Sequence, residues 1–125
     1  MKKKILIAED DKTIQKLYQL SFSIILFDVR MASDGEEALT IYREWQPDII
    51  LLDHGLPIKN GYQVLKTIRD TDKTTTIIMV TSAADKENII ACAKQNIQGY
   101  VVKPFKTGEI AQKAVQLYNA HMQTK

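Results

Sequence analysis

Among the 15 acidic residues of this 125-residue chain, two groups placed directly after apolar runs could do chemistry: Glu9-Asp10-Asp11 near the start and Asp53 near the middle. A hydroxyl pair, Thr81-Ser82, and a cation, Lys103 followed by Pro104, come later. Each group directly follows a short apolar run. Carboxylates brought together repel one another unless a cation stands among them. A hard divalent ion with oxygen ligands answers that need, and Mg²⁺ fits because it takes one or two carboxylates along with waters and phosphate oxygens. Lys103 adds a fixed positive charge and Thr81 a hydroxyl, so the set could hold a tetrahedral anion on or beside Asp53. Taken singly, the same residues have plainer uses. Asp10 or Asp11 could be a helix N-cap, Lys103-Pro104 a solvated loop, and Thr81 a strand terminator. Only convergence would make them a site.

The elements that must position them follow a simple alternation. Ile5–Ala8, Val29–Ala32, Ile49–Leu52, Ile77–Val80 and Tyr100–Val102 read as strands. Between and after them, apolar residues recur at helical spacing. The first helix carries Ile14, Leu17, Tyr18, Phe22 and Ile25; the second carries Ala38, Leu39, Tyr42 and Trp45. Asp34 and Glu37 form a capping box for the second helix, and Pro47 stops it. Gly61 opens a third helix with Val64, Leu65 and Ile68. A fourth carries Ile89, Ile90, Cys92 and Ala93, and a fifth, capped by Thr107, carries Ile110, Ala114, Leu117 and Tyr118. Strands apolar on both sides and separated by helices imply a parallel sheet covered on both faces. Five such units are too few for a closed barrel of about 250 residues, so an α/β, open, doubly wound sheet is expected. In that architecture ligands bind beyond the carboxyl ends of the strands, where all four chemical groups fall.

Composition bounds the class. Apolar residues make up 45% and charged residues 26%, the balance of an ordinary globular domain. A formal charge of +2 argues for neither nucleic-acid nor membrane binding. No apolar run approaches the roughly 18 residues of a membrane span, and the basic start lacks the apolar stretch of a signal peptide. Cys92 is the one cysteine, so an intrachain disulfide is impossible and a reducing cytoplasm is expected. With no linker or repeat, residues 1–125 are expected to form one domain without an effector domain in this chain.

On these residues the chain resembles the receiver domain of bacterial two-component response regulators. The segments that carry the resemblance are ILIAEDD at 5–11, SDGEEAL at 33–39, PDIILLDHGLPIKNG at 47–61, IIMVTSAAD at 77–85 and GYVVKPF at 99–105. It implies a flavodoxin-like (βα)5 fold with strand order 2-1-3-4-5. It also implies that Asp53 is the phospho-acceptor. Asp10 would be the main carboxylate ligand of Mg²⁺, Glu9 would hold a metal-bound water, and the backbone carbonyl of Gly55 would be a further ligand. Lys103 would pair with the acceptor and then with the phosphoryl group, while Thr81 and Tyr100 would be the switch residues. A cis Lys103–Pro104 bond belongs to the same pattern. The implied donor is a sensor histidine kinase or phosphotransfer protein. The implied output is a changed face of the fourth helix, fifth strand and fifth helix, read by a downstream protein rather than by nucleic acid or membrane. Such a domain assists its own phosphorylation and dephosphorylation and is not an enzyme in the usual sense.

Departures and rivals are equally readable. His54 follows the acceptor where relatives often carry an aliphatic residue, and no role is assigned to it. Gly55 and Ala83, both small, would flank the approach of hydrolytic water, which implies a phosphorylated form that decays without a partner. The turn after the first helix lacks the usual glycine and reads Ile25-Leu26-Phe27-Asp28. A phosphatase of the haloacid dehalogenase type would need a second Asp at position 55. A flavin carrier of the same fold class would need a phosphate loop where Glu9-Asp10-Asp11 would repel one. A receiver kept only as a binding module would have no need of the full site set. Helix 5 has no arginine and Ile97-Gln98 precede Gly99-Tyr100, unlike the charged dimer face of winged-helix regulators.

Overall fold

The computed structural model describes residues 2–82 and 86–123. Five strands and five helices alternate: β1 (Lys3–Ala8), α1 (Lys12–Ser21), β2 (Phe27–Ala32), α2 (Gly35–Trp45), β3 (Ile49–Asp53), α3 (Gly61–Thr71), β4 (Thr76–Ser82), α4 (Lys86–Ala93), β5 (Gly99–Lys103) and α5 (Thr107–Gln123). The strands form one parallel sheet in the order β2-β1-β3-β4-β5, so the flavodoxin-like expectation holds. The central strands β1, β3 and β4 are almost wholly buried because both of their faces are covered. Leu6, Ile50, Leu52, Ile77 and Met79 meet Leu39, Leu65, Ile68 and Cys92 on the side of α2, α3 and α4. The alternate residues Ile5, Ile7, Ile49, Leu51, Ile78 and Val80 meet Tyr18, Phe22, Ile110 and Ala114 on the side of α1 and α5. The two-residue period of a strand thus feeds both layers, which is why these strands read as continuous apolar runs.

Several boundaries differ from the sequence reading, for local reasons. The first helix was expected to run to Ile25, but α1 stops at Ser21 with Phe22 as C-cap. The carbonyl of Ser23 accepts from the amides of Leu26 and Phe27, and its hydroxyl from Ile25. A serine that satisfies the backbone in a turn competes with the helix. Ile25 is therefore 79% exposed, and β2 starts at Phe27 rather than Val29. At α2, Asp34 caps as expected by accepting from the Glu37 amide, but the Glu37 carboxylate reaches the Ser33 amide instead of closing the box. Thr107 is the first residue of α5 rather than its cap; the Lys106 carbonyl takes the first amides, Glu109 and Ile110. Ile90 lies exposed on α4. The reciprocal capping box of α3, Asn60 with Gln63, was not anticipated.

One buried cation ties the far end of the molecule. Arg69, on α3, is 1% exposed. Its guanidinium donates to the carbonyls of Asn96, Asp72 and Thr75 and to the Gln98 side chain. Asp72, just past α3, accepts from the Tyr42 hydroxyl at 2.6 Å, the Thr75 hydroxyl at 2.5 Å, and the Thr74 and Thr75 amides. Burial opposes its charge, but these donors outweigh burial and hold the carboxyl well below the ordinary carboxylate range. Burial together with Asp72 pushes the Tyr42 phenol up to about 12.

Candidate functional site

The groups singled out in the sequence meet at the carboxyl ends of β1, β3, β4 and β5. Glu9 directly follows β1, Asp53 is the last residue of β3, Thr81 lies in β4 and Lys103 ends β5. Register brings them level: Asp53 pairs with Val80, one residue before Thr81, and Ser82 pairs with Lys103. The Lys103 ammonium bridges two carboxylates, 2.8 Å from Glu9 Oε1 and 3.1 Å from Asp53 Oδ1. The Lys103–Pro104 peptide is cis. Phe105 then stacks on Tyr18 with ring centroids 4.9 Å apart, fixing the chain after β5 against α1.

The two readings of the acidic cluster separate cleanly. Asp11 is the N-cap of α1, accepting from the amides of Thr13 and Ile14. Its own amide donates to Glu9 Oε2 at 3.1 Å. That leaves Glu9 and Asp10 to face Asp53. One carboxylate oxygen from each of Glu9, Asp10 and Asp53 lies within 4.8 Å of the others. The donors are all hard oxygens, two buried and one exposed, which suits a divalent ion that keeps part of its water shell. Mg²⁺ therefore fits the residues present. Gly55 belongs to the same rim: a Cβ placed there would stand 3.9 Å from Asp53 Oδ2.

Electrostatics agree with a site that carries surplus negative charge. Burial raises the Glu9 carboxyl above its ordinary value despite Lys103 and the Asp11 amide, and Asp53 pushes in the same direction. Burial works against the Lys103 charge, but Glu9 and Asp53 outweigh it and hold the ammonium above its ordinary value. Burial, then the Glu9 and Asp53 charges, hold the Tyr18 phenol above its ordinary value. Above Asp53 an open depression of about 210 Å³ is lined by His54, Gly55, Thr81, Ser82 and Lys103. Thr81 is buried, and among the described residues its hydroxyl makes a long 3.4 Å contact with the Ser82 carbonyl, so it can turn to another acceptor. Tyr100 is 45% exposed on β5. Ala83, expected beside the approach of water, lies outside the described residues.

Two supporting contacts, made by Gln15 and Gly61, are not foreseen in the sequence. Gln15 Nε2 donates to the Glu9 carbonyl at 2.6 Å and to the Ser33 hydroxyl at 3.3 Å, joining α1 to the ends of β1 and β2. Its one sequence signal is its place four residues after the Asp11 cap. Gly61 sits so close to the acceptor that a Cβ would fall 2.4 Å from the Asp53 carbonyl oxygen. The need for glycine there is visible only once α3 is docked.

Comparisons with known proteins point one way. A family model described as the response regulator receiver domain matches residues 5–115. The chain is 38% identical over 109 residues to a "Probable transcriptional regulator ycf27" of Guillardia theta, covering 87% of this chain and 42% of that protein. It is 34% identical over 110 residues to the "DNA-binding response regulator MtrA" of Mycolicibacterium smegmatis, covering 88% and 48%. The chain thus spans less than half the length of these curated relatives. Among solved structures, the receiver domain of the Francisella response regulator 1452 superposes with a TM-score of 0.84 at 31% identity, covering 98% of this chain and 99% of that one. A CheY-like receiver domain from Methanospirillum hungatei gives 0.89 over the full length of both chains, at 22% identity, and shows the shared fold.

Proposed function

The chain belongs to the response regulator receiver domain family, and from that premise we propose that Asp53 is its phospho-acceptor and Glu9, Asp10 and Asp53 its Mg²⁺ site. The observation that supports this most is the Lys103 ammonium held between Glu9 and Asp53, beside an open depression large enough for a phosphoryl group. An Asp53 oxygen attacks the phosphorus of a phosphohistidine on a kinase or phosphotransfer protein. The P–N bond breaks, and its electron pair stays on the imidazole of the donor. No general base is needed because the nucleophile is already a carboxylate. The transition state is loose, so positioning and charge neutralisation dominate. Mg²⁺ would be held by Asp10 and Asp53 with the Gly55 carbonyl and through a water on Glu9, and when bound would supply a Lewis acid that offsets charge on the phosphoryl oxygens.

Lys103 neutralises one phosphoryl oxygen. As the product forms, Lys103 exchanges an Asp53 oxygen for a phosphoryl oxygen. Thr81 turns its hydroxyl from the Ser82 carbonyl toward the phosphoryl group. Tyr100, now exposed, moves into the space Thr81 leaves. The readout is a shift in population between two arrangements of α4, β5 and α5. Between β5 and α5 a groove of about 530 Å³, lined in part by Tyr100, Val102, Phe105 and Lys113, is where a downstream protein would sense the change. The domain is a signalling switch that assists its own phosphorylation and dephosphorylation. We read it as a single cytoplasmic receiver unit over residues 1–125 that contacts neither nucleic acid nor membrane directly; no helix among the described residues is long and apolar enough to cross a membrane.

Intact-mass spectrometry after incubation with acetyl phosphate tests the assignment. One added phosphoryl group is expected with Mg²⁺ and none with a chelator. Unchanged labelling of an Asp53→Asn variant would overturn it.

A further inference from the structure

The site occupies one end of the sheet, and β2 forms a bare edge beside it. β2 is the outermost strand, paired only with β1. It holds six residues, Phe27-Asp28-Val29-Arg30-Met31-Ala32, with no proline, glycine or lysine to blunt the edge. The direction of its free backbone groups follows from one bond. The Ala32 carbonyl accepts from the Glu9 amide at 2.9 Å, so Ala32 faces β1. Backbone groups of successive strand residues alternate in direction. Arg30 and Asp28 therefore also face β1, while Val29 and Met31 present their N–H and C=O groups to the open side. The Phe27 amide is already used by the Ser23 carbonyl, which leaves its carbonyl free on that side.

The side chains of this edge are self-complementary. Asp28 and Arg30 are both exposed and lie on one face; the Arg30 guanidinium rests 4.6 Å above the Trp45 ring, which holds its charge at the edge. On the other face Val29 and Met31, with Phe22 and Ile24, line an apolar depression of about 450 Å³. Nearby in sequence, Leu20, Ile25 and Leu26, like Ile24, are 63–80% exposed.

We propose that β2 pairs antiparallel with β2 of a second copy of this chain, on a two-fold axis at Val29. That register is selected by chemistry. Centring on Val29 places two outward-facing residues opposite each other as a hydrogen-bonded pair, and sets Asp28 of each copy against Arg30 of the other in the adjacent close pair. Centring on Asp28 or on Arg30 would set like charges face to face, which destabilises a pair. Centring on Met31 would leave both charges unpaired. In the Val29 register the two apolar depressions meet across the axis and cover each other, and the two sheets become one of ten strands. The contact lies away from the β5–α5 groove, so the dimer leaves that face open and does not require phosphate at Asp53.

Sedimentation equilibrium on the full chain, without phosphodonor, tests this over a wide concentration range. The parent is expected to approach twice its 14.2 kDa mass. Asp28→Arg alone, or Arg30→Asp alone, should weaken association by about tenfold or more, because two attractive pairs become repulsive. The double variant exchanges the charges and should recover the parent constant within about threefold. Val29→Pro removes an outward amide and no bond to β1, so circular dichroism should stay native while the dimer is lost. A parent that is monomeric at every concentration overturns the proposal, as does a dimer indifferent to single reversal. Single reversals that dissociate the dimer without rescue by the double variant overturn this register.

Discussion

Removing the Lys103 ammonium gives the sharpest test of how the site is held. In Lys103→Ala, Glu9 and Asp53 lose a partner at 2.8 and 3.1 Å while remaining 1% and 6% exposed. At an effective dielectric constant of about 20, each contact carries roughly 5–6 kcal/mol of Coulomb attraction before desolvation is counted. Desolvation of the lysine offsets much of that, and breaking such a pair leaves a net loss of about 3 kcal/mol. For a domain of this size that lowers the unfolding midpoint by about 10 °C in the presence of a chelator. The domain still folds at room temperature, since about 3 kcal/mol is less than ordinary domain stability. The loss has a pH signature. The Glu9 carboxyl already sits above its ordinary value because of burial, and without the lysine it rises further. A raised carboxyl pKa stabilises the fold at low pH, and that contribution is lost as pH rises through the folded value. The deficit of the variant should therefore be smaller at about pH 5 than at about pH 7.5. Thermal unfolding by circular dichroism reads the stability, and acetyl phosphate labelling with Mg²⁺ below the midpoint reads the chemistry, which should be strongly slowed. A chelated variant that melts within about 2 °C of the parent, or a variant labelled at the parent rate, would refute the reasoning.

Other expectations rest on single residues. Gly55→Met should slow loss of the phosphoryl group after donor removal, because a Cβ there makes an ordinary 3.9 Å contact with Asp53 Oδ2 and starts the side chain beside the acceptor; decay at the parent rate would show that access at this position does not set the lifetime. Gly61→Ala should cost about 1–3 kcal/mol and slow labelling even in folded protein, because its Cβ would press on the Asp53 carbonyl at 2.4 Å; urea unfolding and intact-mass kinetics measure the two effects. Asp72→Ala should cost about 2–3 kcal/mol while leaving labelling at Asp53 intact. The parent should lose the same contribution in acid, because a depressed carboxyl pKa stabilises above its unfolded value of about 3.8 and ceases to as pH falls through the folded one.

The sheet and the convergence of the site's side chains at one end of it are legible in the sequence because they depend on local patterns. Runs such as Ile49–Leu52 need only be apolar on both faces, and the carboxylates follow those runs directly. The same logic locates Asp53, Lys103 and Thr81, each at the end of an apolar run. What escaped depends on docking between distant segments. Nothing near Gln15 says that its amide meets the Glu9 carbonyl, and nothing near Arg69 says that four partners from beyond α3 await it. The end of α1 was missed for another reason. Ile25 continues the helical spacing, but the turn bonds of Ser23 override periodicity. The Asp11 cap shows the opposite case, in which a plain role and a chemical one were both open until Asp11 separated from Glu9 and Asp10.

The loop between Asp53 and Gly61 carries a consequence for ion choice. It is fastened along its length: the His54 amide to the Val80 carbonyl, the Gly61 amide to the His54 carbonyl, and the Gly35 amide to the Pro57 carbonyl. A Cβ on Gly35 would overlap the Lys59 carbonyl, so α2 closes against the loop without space between them. Such a loop cannot widen to gather extra oxygens around a larger guest. Ca²⁺ prefers six to eight flexible ligands at longer distances, whereas Mg²⁺ accepts a few fixed ones and brings its own water. At the proposed Mg²⁺ site, discrimination between the two would then come from the stiffness of the frame rather than from any one donor.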